Sequence, residues 1–351
     1  MNEPVSAPVR RRRGSGAITL HDVARLAGVA PITASRALNT PDRVSEEVRT
    51  KVQDAVSRTG YVPNRLAGGL ASTRSRLVAA VVPTIAGPVF LQTVHSLTEA
   101  LAERGCQLML GQAGYTGTRE DALLDAIIGR RPDGIVLTGI VHSATGRRRL
   151  LASGIPVVET WDLTATPIDM LVGFSHTEVG QAVAALLHAK GRRRLAAVAG
   201  NDERAQRRVA AYAAAARRLG LPEVRLASVP APTTLKSGRE ALTRLLDSGA
   251  GREGGSEGQI DAVFCSSDLL ALGVLTEARA RGLAVPGQLA IVGFGDQDFA
   301  ADVEPALTTV RIDGGRIGRQ AAHFIVERAE GRAVEPRVVD IGFSIVERAS
   351  T

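Results

Sequence analysis

The nine residues Pro-Ile-Thr-Ala-Ser-Arg-Ala-Leu-Asn, 31–39, place two hydroxyls and a guanidinium (Thr33, Ser35 and Arg36) on one short segment. Groups of this kind hydrogen-bond phosphate oxygens, so the chemistry on offer is recognition of an anionic polymer. For Thr33 and Ser35, bonds within their own helix are an equal alternative. Reaction chemistry is missing elsewhere. The six histidines, at 21, 95, 142, 176, 188 and 323, lack metal-ligand spacing. No Gly-x-Ser-x-Gly, Walker or His-Glu-x-x-His segment occurs. Neither an enzyme, a metal nor a cofactor is therefore expected. Cys106 and Cys265 form no Cys-x-x-Cys pair and sit in apolar runs, which predicts free thiols in a reducing compartment.

The elements that would present this segment are legible around it. Thr19 can cap a first helix, and Leu20, Val23, Ala24 and Ala27 make one apolar stripe along it. Gly28 can take the positive φ that ends it, and Pro31 suits the first position of the next helix. Two short helices joined by a tight turn form the unit that places its second helix in the DNA major groove. A third helix is expected from Ser45, with Glu46 and Glu47 in its first turn and Gly60 at its end. Val48, Val52, Ala55 and Val56 supply its apolar face. Charge supports the reading. Residues 1–76 hold 13 basic and 6 acidic side chains and the remainder holds 30 of each, so the whole +7 excess lies at this end. A solvated tail, Arg10 to Arg13, is the bland alternative; without those four the segment is still +3. At 3% aromatic content, base stacking on single strands is disfavoured.

From Leu77 onward short apolar runs alternate with amphipathic stretches. Strands are expected at Leu77–Val82, Leu108–Leu110, Gly134–Leu137, Pro156–Glu159, Leu171–Gly173, Leu195–Ala199, Ala262–Cys265 and Leu289–Gly293. The alternation predicts an α/β domain of two doubly wound parallel sheets, a pair of facing lobes with a ligand cleft between them. The expected divisions are a disordered basic tail (1–16), a helix-turn-helix domain (17–62), a hinge helix or linker (63–75) and an effector domain (76–351). Within the last, the first lobe would take 76–175 and 307–335, and the second 176–306 and 336–351. Residues 248–258 read as a surface loop. No apolar run reaches the ~20 residues of a spanning helix. None follows the N-terminal arginines, so no export signal, no membrane and a cytoplasmic location are expected.

With these parts in place, the chain resembles the LacI/GalR family of bacterial transcription regulators. The resemblance rests on Thr19-Leu20-His21-Asp22-Val23-Ala24, Val29 to Asn39, Tyr61-Val62-Pro63-Asn64, Arg131-Pro132-Asp133-Gly134-Ile135, Gly154-Ile155-Pro156-Val157-Val158, Phe264-Cys265-Ser266-Ser267-Asp268 and Pro305-Ala306-Leu307-Thr308-Thr309-Val310. Through Gly114-Tyr115, Val172-Gly173-Phe174 and Asp202-Glu203-Arg204 it is most similar to the gluconate-operon repressor branch. The resemblance implies periplasmic-binding-protein-like lobes and a homodimeric repressor that binds a pseudo-palindromic double-stranded operator under control of a small sugar or sugar acid such as gluconate. It puts Pro31, Ile32 and Arg36 against base edges, where Arg36 suits guanine O6 and N7 and Ile32 a thymine methyl. Thr19, Thr33, Ser35, Asn39, Tyr61 and Asn64 are the further DNA-binding positions it implies. It makes Leu70 the expected minor-groove wedge, preceded here by Gly68 and Gly69, which are poor helix formers and leave a plain linker as the alternative. For the effector it implies Phe90 and Trp161 from the first lobe and Arg204, Arg208, Ser267 and Asp296 from the second. Trp161 could stack on a sugar ring or simply pack. Arg204 and Arg208 suit a carboxylate through charge-assisted bonds, whereas Arg207 reads as a solvated helix face. The rival reading is a sugar-binding protein of periplasmic type without a regulatory role.

Overall fold

The computed structural model describes residues 18–62, 74–115, 119–140, 143–248 and 259–351. The expected basic tail, Asn64, Leu70 and residues 249–258 of the expected loop lie outside these. Contacts divide the chain into a unit up to Thr73 and a unit from Arg74.

The first unit comprises α1 (Leu20–Ala27), α2 (Pro31–Asn39) and α3 (Glu46–Thr59). Local rules set each boundary. Thr19 takes the cap of α1, and Asp22, three residues on, returns its carboxylate to the Thr19 backbone N–H (3.0 Å) and hydroxyl (2.7 Å). Gly28 (φ +66°) and Gly60 (φ +65°) end α1 and α3 in the left-handed conformation. Ser45 caps α3 by accepting from the Val48 N–H. Val23, Ala24, Ala34, Ala37, Val52 and Ala55 form the core. The alanines among them keep the helices close, and the burial of Ala34 and Ala37 leaves the other face of α2 to solvent.

The second unit runs β1 (Leu77–Val82), α4 (Leu91–Glu103), β2 (Gln107–Gln112), α5 (Glu120–Ile128), β3 (Gly134–Thr138), α6 (Ala144–Ser153), β4 (Val157–Thr160), β5 (Met170–Gly173) and α7 (His176–Ala189). It continues through β6 (Leu195–Gly200), α8 (Glu203–Arg218), β7 (Arg225–Val229), α9 (Leu235–Asp247), β8 (Ala262–Cys265), α10 (Asp268–Ala280) and β9 (Ala290–Phe294). It closes with β10 (Thr308–Arg311), α11 (Gly314–Ala329), β11 (Val338–Asp340) and β12 (Ser344–Val346). Two six-stranded sheets result, ordered β11-β5-β4-β3-β1-β2 and β12-β10-β9-β8-β6-β7. Every pairing is parallel except β10 with β12. β4, β5, β6, β8 and β9 are buried along their whole length, as parallel strands covered on both faces require.

The chain crosses between lobes where the expected boundaries need correcting. Residues 308–310 pair with β9, and 309–311 with β12, so this segment belongs to the second lobe, not the first. Residues 338–340 pair with β5 and so belong to the first lobe, not the second. β11 lies at a sheet edge and β10 between β9 and β12; segments of only three or four residues join whichever sheet offers a partner, and their own sequence does not name it. Within the second lobe, one glycine sets the approach of two helices. A Cβ on Gly180 of α7 would lie 2.2 Å from the Arg208 carbonyl, so its absence lets α7 and α8 meet backbone to backbone. No described helix is long and apolar enough to cross a membrane.

Candidate functional site

Strands of both sheets end at a cleft between the two lobes, with a volume of about 750 Å³ counted out to its open mouth. Phe90, Trp161, Arg204, Arg208 and Ser267 all line it. Phe90 precedes α4 and meets the Trp161 ring edge to face, centroids 5.1 Å apart. Trp161 follows β4, is 3% exposed, and donates its indole N–H to Thr93 Oγ1 at 3.0 Å. Its ring is therefore largely packed, and only its cleft side is available to a ligand.

Arg208 is the unusual group. It is buried on α8, against α7, with its guanidinium 3.9 Å from the centre of the Phe294 ring. It donates to the Ser266 carbonyl and to His176 Nδ1, both at 3.0 Å. Among the described residues no carboxylate lies within 4.0 Å of it and its Nε–H has no partner. Burial pulls its pKa down to about 10, so it stays charged at neutral pH. Arg204, one turn earlier, sits over the Phe90 ring at 5.2 Å, and its buried Nη1 also lacks a partner. Two guanidiniums with unused donors thus face a cleft with aromatic walls. Unsatisfied buried donors of this kind are costly until a ligand meets them.

Acceptors and hydroxyls occupy other parts of the cleft. Ser267 caps α10 and bonds the Thr233 hydroxyl at 3.0 Å. Asp268, next in sequence, is 1% exposed and accepts from Thr309 Oγ1 (2.6 Å) and the Gln297 N–H (2.8 Å). Burial pushes its pKa up to about 6. A Cβ at Gly293 would lie 2.1 Å from Asp268 Oδ1, so that carboxylate depends on a glycine beneath it. Asp202 and Tyr115 complete the polar lining, and burial raises the Tyr115 phenol above its usual range.

Two expectations need correction. Asp296 does not line the cleft. Its backbone turns through φ +49° directly after Gly295 at +126°, and its carboxylate is held by Arg311 (2.5 Å) and Arg348 (2.7 Å). Asp202 and Asp268 are the acids that line the cleft. Arg207 is not a merely solvated side chain either. It reaches from the second lobe to buried Asp162 of the first at 2.6 Å, and also pairs with Glu203. His176 and Asp268 escaped sequence reasoning as site residues. Asp268 stands within the Phe264-to-Asp268 motif, but nothing in that motif says where its carboxylate points.

On the first unit, Pro31, Ile32, Arg36 and Asn39 are exposed on α2, with Ile32 59% accessible. Thr19 is exposed at the start of α1, and Thr33, Ser35 and Tyr61 are half-buried. The Asn39 amide donates to the Ser35 carbonyl (3.0 Å) and hydroxyl (3.3 Å), one turn earlier on α2. Exposing a large apolar residue beside an exposed guanidinium suits contact with a thymine methyl and a guanine edge. Among the described residues no group of three or more His, Cys, Asp or Glu side chains could hold a metal ion.

A helix-turn-helix unit followed by a two-lobed domain with a ligand cleft defines a ligand-responsive DNA-binding regulator. Residues 19–64 match the model for bacterial regulatory proteins of the lacI family, and residues 184–351 that for a periplasmic binding protein-like domain. The HTH-type transcriptional regulator GntR of Pseudomonas aeruginosa is 37% identical over 344 residues, 97% of this chain and 98% of that protein. A LacI-family regulator from Silicibacter pomeroyi superposes with a TM-score of 0.87 at 29% identity, covering 95% of this chain and 99% of that one. A complex of the transcriptional regulator CelR with cellobiose matches at 30% identity and a TM-score of 0.67, covering 95% and 100%. The chain belongs to the LacI family, in the branch of the GntR-named regulators, and is a transcriptional regulator, not an enzyme.

Proposed function

We propose that this regulator is a cytoplasmic homodimeric repressor whose grip on a pseudo-palindromic operator is set by a sugar acid in the cleft. The observation that carries the reading is Arg208: a buried guanidinium, without a carboxylate partner among the described residues, on the wall of the cleft between the lobes. A ligand carboxylate supplies the missing counter-charge, and Arg204 supplies a second donor. Phe90 and Trp161 suit the apolar face of a polyol, while Ser267, Asp268 and Asp202 suit its hydroxyls. The complex of CelR with cellobiose supports a carbohydrate in this fold. On the DNA side, Pro31, Ile32 and Arg36 face base edges from α2, and Thr19, Thr33, Ser35, Asn39 and Tyr61 serve register and backbone contact.

The test is titration of gluconate, glucose and cellobiose against binding of the full chain to DNA from upstream of its own gene. Gluconate should change DNA affinity where equimolar glucose does not. Equal responses to gluconate and glucose would remove the case for a carboxylate. No binding to that DNA under any condition would remove the repressor reading.

A further inference from the structure

We propose that His176 is a positioning residue that couples the guanidinium of Arg208 in the second lobe to the backbone of Trp161 in the first. The inference rests on the carboxylate reading above. A guanidinium can only donate, so the 3.0 Å contact with Arg208 requires a lone pair on His176 Nδ1. The ring proton therefore sits on Nε2, which donates to the Trp161 carbonyl at 3.0 Å. One neutral tautomer satisfies both bonds, and no other does. Burial and the neighbouring Arg208 hold the His176 pKa well below the usual range, which agrees with that form.

The far end of the relay is built to respond. Trp161 has φ +65°, a conformation that bulky side chains rarely adopt, so surrounding bonds must hold it there. Those bonds are the Val172 carbonyl on its N–H, His176 on its carbonyl, and Thr93 on its indole. Thr93 belongs to α4, which packs against α11 where Gly318 lacks a Cβ that would lie 2.4 Å from the Thr93 carbonyl. The series Arg208, His176, Trp161, Thr93 thus links α8 of the second lobe to α4 of the first through named hydrogen bonds. A carboxylate that reorients Arg208 changes the acceptor bond at His176, and with it the hold on Trp161. A ligand acts at a distance only through such differential contacts.

Trp161 is the only tryptophan of the chain, so its fluorescence reads this link directly. The full-length protein is titrated with gluconate and with operator DNA as wild type, H176L and H176Q. Glutamine can accept from Arg208 and donate to Trp161; leucine can do neither. In H176L the gluconate Kd should move less than about tenfold, the scale of one lost hydrogen bond. The gluconate-induced changes in Trp161 emission and in operator affinity should fall to below about a tenth of wild type by the same scale. H176Q should restore both. Wild-type responses in H176L, or no restoration in a stably folded H176Q, would overturn the proposal. If H176L does not fold, T93V cuts the relay at its other end, and a retained wild-type emission response there would overturn it equally. If wild type binds no gluconate, the carboxylate reading fails separately. The emission of ligand-free H176L then decides: a shift reversed in H176Q supports the link, and an unshifted spectrum refutes it.

Discussion

Replacing Arg208 by Met keeps an unbranched stem but removes the guanidinium and its charge, and the structure sets two opposing contributions to stability. Holding the guanidinium pKa at about 10 instead of 12.5 corresponds to about 3 kcal/mol against the buried charged form. Two hydrogen bonds, to His176 and Ser266, act the other way, each contributing about 1.5–3 kcal/mol for a charged donor. The Phe294 face adds about 1–2 kcal/mol. These magnitudes cancel only in part and leave about 1–5 kcal/mol in favour of the arginine, so R208M should be destabilised by about that amount. Ligand binding has no such cancellation. A carboxylate held by two charge-assisted bonds loses roughly 3 kcal/mol or more, at least about 100-fold in Kd. Urea unfolding followed by Trp161 fluorescence gives the first quantity, and calorimetric titration with gluconate the second. An unchanged gluconate Kd in R208M would refute the role of the charge. A stability loss beyond about 5 kcal/mol, with the remaining fold still binding gluconate normally, would make Arg208 a structural residue.

The other predictions test separate parts of the molecule. Arg36→Ala should cost about 1–3 kcal/mol on operator DNA and relax preference at one base pair, with little change on random DNA; anisotropy titrations on single-base operator variants check it. Asp268 has a pKa raised to about 6 from 3.8, so the native state holds its proton more tightly than the unfolded chain does. Wild type should accordingly lose up to about 3 kcal/mol relative to D268N as pH rises from about 4 to about 6, with no further change above; urea midpoints across that range show whether the slope is present. Gly180→Ala would drive a methyl to 2.2 Å from the Arg208 carbonyl. It should cost about 1–3 kcal/mol and weaken gluconate binding by displacing α8, measured by unfolding and calorimetry together.

The helix-turn-helix unit was legible because its boundaries are local. Gly28, Pro31 and Gly60 act through their own backbone and Ser45 through a hydroxyl three residues from its donor, while the Thr19 hydroxyl donates to Asp22 instead of accepting a helix N–H. Central strands such as Leu77–Val82 and Ala262–Cys265 were equally readable, since unbroken burial leaves an unbroken apolar run. Edge strands were not. Arg225–Val229 alternates between buried and exposed and begins with a charge, and α6 carries three consecutive arginines that mask its apolar side. Much of the cleft was named from its sequence motifs, but motif and direction are different properties. Asp296 and Asp268 are both acids in motif-like surroundings. A positive φ and two arginines turn the first aside, and a glycine floor admits the second.

By itself the amino-acid sequence determined three helices, their caps, the charge at the N-terminal end and the alternation that makes two parallel sheets. Each follows from the preferences of neighbouring residues. Tertiary structure alone decided which sheet each late strand joins, which acid enters the cleft, and that His176 stands between Arg208 and Trp161. Those outcomes depend on pairings between residues far apart in the chain, where a hydrogen bond or a close backbone approach chooses among partners that local composition leaves equivalent.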